Sequence, residues 1–214
     1  MINERRVSLS GAAGVTLDAR LAIPEGAAAG VALSHPHPLY GGDMENPVVI
    51  RAAEVCQEAG LATLRFNFRG VGASTGEHDE GRGEEDDLRS ALAELRAALP
   101  AGAGVAAAGY SFGATITARV AARTPLTGVA LIAPPLAVRG LEHLGDLAGY
   151  GGPLLVVAGT ADTYCPPEAL ARLGQTLPKA TVRSVDGADH FFFGKLFPLG
   201  EIVGAWARAI PRLT

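Results

Sequence analysis

Hydrophobic and polar positions change rhythm along the chain, and those changes predict its elements. Val15, Leu17, Ala19, Leu21 and Ile23 alternate with Thr16, Asp18, Arg20 and Ala22, the period of two that marks a strand with one face in water. Val7 and Leu9 begin a similar strand, and Gly11-Ala12-Ala13-Gly14 turns between the two, so an N-terminal hairpin is expected. From there the strands become short apolar runs: Val31–Leu33, Leu61–Phe66, Val105–Ala108, Val129–Ile132, Leu154–Val157 and Thr181–Val185.

Helical spacing fills most of the gaps. Asn46-Pro47 suits a capped first turn, Val48, Ala52, Val55, Cys56 and Ala59 form a buried face, and Gly60 suits the position just past the end. An acidic turn, Glu77 to Asp87, precedes Leu88, Leu92, Leu95 and Leu99, whose spacing marks a second helix stopped by Pro100. Further helices are expected around Ile116, Leu170 and Val203. Apolar strands alternating with helices imply an α/β fold: a mostly parallel, eight-stranded sheet covered on both faces, with the antiparallel hairpin at one edge. No linker, repeat or low-complexity segment divides the chain, so a single domain over 1–214 is expected.

Composition narrows the function. Hydrophobic residues make up 48% and charged residues 19% of the 214 residues, with a formal net charge of −4. That balance belongs to a folded domain and argues against a nucleic-acid or polybasic membrane partner. No apolar run is long enough to span a bilayer. Charged residues break up the start of the chain, so a secretory leader is not expected and a cytoplasmic protein is. Cys56 and Cys165 lie far apart, which suits neither a zinc site nor a redox pair.

Two stretches match the Gly-x-Ser-x-Gly pattern of a nucleophile elbow: Gly72-Ala73-Ser74-Thr75-Gly76 and Gly109-Tyr110-Ser111-Phe112-Gly113. The elbow needs a strand running in and a helix running out. Ser111 has both; Ser74 lies in a glycine-rich loop followed by Glu77-His78-Asp79-Glu80 and reads as a loop serine. A serine hydroxyl needs a base. His190 follows the last predicted strand and so falls at the carboxyl edge of the sheet, beside Ser111. His78 and His143 read as surface residues. Asp162, just beyond the strand Leu154–Val157, is the expected acid that orients the imidazole; Asp186 and Asp189 share the loop of His190 and would have to fold back on it.

With Ser111, Asp162 and His190 in that order, the chain resembles the α/β-hydrolase superfamily over nearly its full length. Asn67-Phe68-Arg69-Gly70-Val71-Gly72-Ala73-Ser74 is similar to that superfamily's Arg-Gly-x-Gly-x-Ser loop. The stretch from His35-Pro36-His37-Pro38 to Asn46 resembles a small bacterial subfamily of lidless, dienelactone-hydrolase-like enzymes. Dienelactone hydrolases carry cysteine at the elbow; Ser111 departs from that and favours ordinary ester cleavage. The resemblance implies a serine carboxylesterase with a Ser111–His190–Asp162 triad and an oxyanion hole made by the backbone N–H groups of Phe112 and His37. His-Pro-His stands here where the superfamily often has His-Gly-x. A thioesterase or peptidase with the same triad, or a non-catalytic binding member of the fold, are the alternatives.

His35 and His37 have a second reading as a metal site. No further ligand stands near except Asp43, and a proline-stiffened loop holding one N–H is preferred; neither metal nor cofactor is expected. Arg69 is expected to tie its loop to a carboxylate, and the run Glu84 to Asp87 to favour a helix N-terminus. Cys165 reads equally as site wall or buried thiol. The connector Pro134 to Gly152, about 20 residues, is too short for a cap domain. An open site for small esters of short to medium acyl chain is therefore expected, with Tyr40, Tyr110, Tyr164 and Phe191 as apolar walls and Phe112 and Phe192 nearby.

Overall fold

A computed structural model describes residues 4–140 and 144–212. His143 lies outside them. The hairpin strands are β1 (Arg5–Ser10) and β2 (Thr16–Ala22), joined by a 3-10 turn over Ala12–Gly14. Six strands follow: β3 (Ala29–Ser34), β4 (Ala62–Phe66), β5 (Gly104–Tyr110), β6 (Val129–Ile132), β7 (Leu154–Gly159) and β8 (Thr181–Val185). They form one eight-stranded sheet in the order β1-β2-β4-β3-β5-β6-β7-β8. The β1–β2 and β2–β4 pairs are antiparallel, and the others are parallel.

Among the described residues six helices accompany them: α1 (Pro47–Glu58), α2 (Arg82–Ala97), α3 (Phe112–Ala121), α4 (Leu136–Arg139), α5 (Pro167–Thr176) and α6 (Leu196–Arg208). In the central strands both faces are buried. Val31 and Leu33 pack with α1 and α6, whereas Ala32 turns toward α2 on the opposite side. Leu155 and Val157 likewise join the first layer, and Leu154 and Val156 pack with α3 and α5. That double covering is why these runs read as continuously apolar. β8 differs: Thr181, Arg183 and Ser184 are exposed because it is an outer strand with water along one side.

α1 begins as its sequence implies. Asn46 Oδ1 accepts from Val48 N at 3.0 Å, Pro47 occupies the first helical position, and Gly60 takes φ 80°. The second helix starts several residues before its leucine stripe, at Arg82. The run Glu84 to Asp87 occupies its first turns, as expected of a helix N-terminus, and its carboxylates find partners there. Glu84 accepts from Gly81 N (2.8 Å) and Asp79 N (3.0 Å), two donors that would otherwise be unpaired at the helix entrance. Asp87 grips Arg69. Between β6 and β7 the described residues carry only α4 and a 3-10 turn at Gly145–Leu147, so no cap covers the carboxyl edge there.

Candidate active site

Ser111 sits in the turn between β5 and α3 with φ 54° and ψ −115°, a strained conformation for a residue with a side chain. Two glycines make the turn possible. A Cβ on Gly109 would run into the Gly113 carbonyl, and one on Gly113 would lie 2.5 Å from Ser34 O and 2.6 Å from His35 O. The elbow is thus pressed against the end of β3. Buried Ser34 secures the contact, its Oγ lying 3.1 Å from Gly113 O and 3.0 Å from Thr117 Oγ1.

His190 comes to the serine from the loop after β8. Its Nε2 is 2.9 Å from Ser111 Oγ, and its Nδ1 is 3.0 and 2.9 Å from the two oxygens of Asp162. Asp162 is 1% exposed, and its Oδ1 also accepts from Tyr164 N (2.8 Å) and Cys165 N (2.9 Å). These backbone donors fix the orientation of the carboxylate. Ala161 N donates to Ala188 O at 2.9 Å, which locks the acid loop to the histidine loop. Asp189 faces away from the imidazole and accepts from Phe191 N and Phe193 N, both at 3.1 Å. Asp186 is engaged with Thr160 instead.

The loop after β3 forms the opposite wall. His35 is fully buried; its Nδ1 lies 2.6 Å from Pro36 O, and its Nε2 accepts from Phe68 N at 3.0 Å. Both ring nitrogens are therefore taken by backbone groups in the neutral form, and burial drives its pKa down to about 4. No lone pair remains for a metal, so the metal reading of His35 and His37 does not fit. Around His37 the loop tightens: its carbonyl accepts from Tyr40 N and Gly42 N, both at 3.1 Å. The His37 ring rests 4.8 Å from that of Phe112. Neither the His37 nor the Phe112 N–H donates to another group among the described residues.

His78, Tyr110 and Phe192 stand elsewhere than the sequence suggested, whereas Cys165, Ser74 and Arg69 take up positions it allowed for. His78 is no surface histidine. Its side chain is 6% exposed and packs 5.0 Å from the His37 ring and 5.7 Å from that of Phe112. Its Nδ1 lies 2.8 Å from the buried Glu84 carboxylate, off the direction of a good hydrogen bond. Tyr110 lies beneath the site, buried, with its hydroxyl donating to His190 O at 3.0 Å. Phe192 is buried in the core, and Cys165 is a buried thiol pushed up to about 12 by desolvation. Ser74 pins its own loop: its Oγ donates to Asn67 O (2.8 Å) and accepts from Asp18 N (2.9 Å). Arg69 forks onto Asp87, which also accepts from Arg69 N at 3.0 Å.

What remains is an open cleft of about 390 Å³ above Ser111. Tyr40, Tyr164 and Phe191 line it with His37, Phe112 and His190, and the Tyr164 ring lies 4.6 Å from that of His190. Pro135, Val138 and Arg139 of the β6–α4 segment complete the wall. None of these three was expected in the site wall. They fall in a connector without periodicity, and only the fold of that connector turns them inward.

The parallel sheet, the strained serine at its carboxyl edge and the histidine and aspartate behind it are those of an α/β-hydrolase. The family profile described as "Alpha/beta hydrolase domain" matches residues 31–195, and the chain belongs to that family. It is 34% identical over 165 residues to an uncharacterized protein of Rickettsia prowazekii, covering 74% of this chain and 69% of that one. Among solved structures it is similar to an alpha-beta serine hydrolase homologue from Coxiella burnetii, with 34% identity, a TM-score of 0.86, and 96% of this chain and 97% of that chain covered. It is also similar to a serine hydrolase without lid from Xanthomonas campestris, with 33% identity, a TM-score of 0.83, and 99% and 97% covered. No helix among the described residues is long and apolar enough to cross a membrane.

Proposed function

We propose that this hydrolase is a serine carboxylesterase acting on small esters of short to medium acyl chain. The observation that carries the reading is the continuous contact from Asp162 through His190 to Ser111, with 2.9 Å between Nε2 and Oγ. The Asp162 carboxylate keeps the proton on His190 Nδ1, leaving Nε2 free to act as a base. Ser111 Oγ attacks the ester carbonyl as Nε2 takes its proton. The N–H groups of Phe112 and His37 stabilise the oxyanion, and the departing alcohol collects the proton from His190. Water, deprotonated by the same Nε2, then attacks the acyl-enzyme; the bond from the acyl carbon to Ser111 Oγ breaks, Oγ takes the proton back from His190, and the acid is released. No step calls for a cofactor, and the enzyme needs no second macromolecule for the reaction.

The chain-length preference rests on the cleft. It is open above and walled by aromatic rings at 44% (Tyr164) and 65% (Phe191) exposure. Hydrolysis of p-nitrophenyl esters from acetate to palmitate tests this directly. Activity should peak at short or medium length; a steady rise to palmitate contradicts it. Thioesters and peptides of the same acyl group, tried alongside, should be poorer substrates than the oxygen esters.

A further inference from the structure

Arg139 closes α4 at the mouth of the cleft. It is half-buried, and its guanidinium carbon stands 6.0 Å from the centroid of the Phe112 ring, on the residue that follows the nucleophile. Arg65, Arg69 and Arg89 are each forked onto carboxylates of their own chain. Arg139 makes no ion pair among the described residues, and none of the described side chains lining the cleft is acidic. The cleft therefore presents one permanent positive charge against rings and backbone donors. Burial, with His78 and Arg139, lowers the His37 pKa, while Glu80 and Glu84 work in the opposite direction. The other described titratable lining residues are His37, Tyr40, Tyr164 and His190, with no carboxylate among them.

We infer that Arg139 gives this cleft a subsite for a carboxylate carried on the same molecule as the scissile ester, so that its preferred substrates are anionic esters. The inference rests on the esterase reading of Ser111. A guanidinium is a planar fork of donors that matches a carboxylate with two parallel hydrogen bonds. Beside low-dielectric aromatic walls that pairing is screened less than at an open surface. A neutral ester leaves the guanidinium to water and gains nothing from it.

Two matched pairs locate the effect. p-Nitrophenyl hydrogen adipate against p-nitrophenyl methyl adipate puts the charge on the acyl side. 4-Acetoxybenzoate against methyl 4-acetoxybenzoate puts it on the alcohol side. For each pair the ratio of kcat/KM, anionic over neutral, is compared between wild type and Arg139→Gln. The ratio should fall about tenfold or more in at least one pair, and added salt should narrow it in wild type. Equal losses on both members of both pairs would mean that Arg139 serves the oxyanion or the fold, and would overturn the inference.

A binding arm separates this from the esterase reading. Adipate binding is measured by calorimetry on Ser111→Ala and on Ser111→Ala/Arg139→Gln. A loss of about tenfold or more with the second substitution supports the subsite, even if no ester is turned over, in which case only the esterase reading falls. Binding that is absent or unchanged overturns the subsite, even if neutral esters are hydrolysed well.

Discussion

Replacing Asp162 with Asn tests how the imidazole is held while keeping the shape of the site. Asp162 Oδ1 accepts two backbone N–H groups, from Tyr164 and Cys165. An amide at this position satisfies them only with its oxygen there, which sets its NH2 group at the Oδ2 position, 2.9 Å from His190 Nδ1 in the native contact. The NH2 group repels a protonated Nδ1, and the neutral amide oxygen, 3.0 Å from Nδ1 and already accepting two backbone N–H groups, holds that proton less well than a carboxylate, so the tautomer with Nδ1 as acceptor and the proton on Nε2 is favoured. Nε2 then points a hydrogen at Ser111 Oγ, 2.9 Å away, and can no longer take its proton. Loss of the correct tautomer in a triad of this kind costs about 10⁴ in kcat, or about 5 kcal/mol of barrier. The assay is kcat on p-nitrophenyl butyrate together with the rate of fluorophosphonate labelling, with circular dichroism and a melting curve to show that the fold is kept. Both rates should fall by about the same large factor. A folded variant within tenfold of wild type would refute the assignment of Asp162 as the orienting acid.

Other substitutions separate scaffold from chemistry. Ser74→Ala leaves the Asp18 N–H and the Asn67 carbonyl short of the buried hydroxyl that joins them; it should lower stability in urea by about 1–3 kcal/mol and leave fluorophosphonate labelling intact, and a variant that does not label would put Ser74 in the chemistry. Gly113→Ala sets a methyl 2.5 Å from Ser34 O; it should cost about 1–3 kcal/mol and cut kcat, and an active, fully stable variant would mean that the elbow does not need this close contact. His35 brings a pH dependence. Its pKa is about 4 in the folded chain against 6.5 for an ordinary histidine, so below the higher value the unfolded chain binds the extra proton and the folded one does not. Stability is therefore lost as pH falls from 6.5 toward 4, by about 2 kcal/mol between pH 7.5 and 5 from this group. Urea unfolding of wild type and His35→Gln at both pH values should show that decrement in wild type only; equal decrements in the two proteins would contradict it.

The sheet and the turn carrying Ser111 were legible because they depend on local rules. A buried strand must be apolar, and an elbow must have glycine where Gly109 and Gly113 sit, since the backbones of α3 and β3 leave no room for a Cβ. The placement of Asp162 and His190 beyond β7 and β8 followed from counting strands, because parallel strands deliver their carboxyl ends to one edge. What escaped depends on long-range packing. The run Glu84 to Asp87 was readable as a helix N-terminus but its burial was not: Glu84 caps the helix and Asp87 is the internal partner of Arg69. His78 looked like a polar loop residue until the fold stacked it behind His37. Tyr110 and Phe192 had the right chemistry for a wall but point into the core, the first because alternation along β5 turns it toward the α1–α6 layer. Arg139 could not be found at all without the path of the connector.

The most direct measurement is the intact mass of the protein after treatment with a fluorophosphonate, for wild type and for Ser111→Ala. A single adduct on wild type and none on the variant is the expected result, because only a serine deprotonated by His190 attacks phosphorus at a useful rate. An unmodified wild type, or an adduct that survives Ser111→Ala, would contradict the assignment of Ser111 as the activated nucleophile.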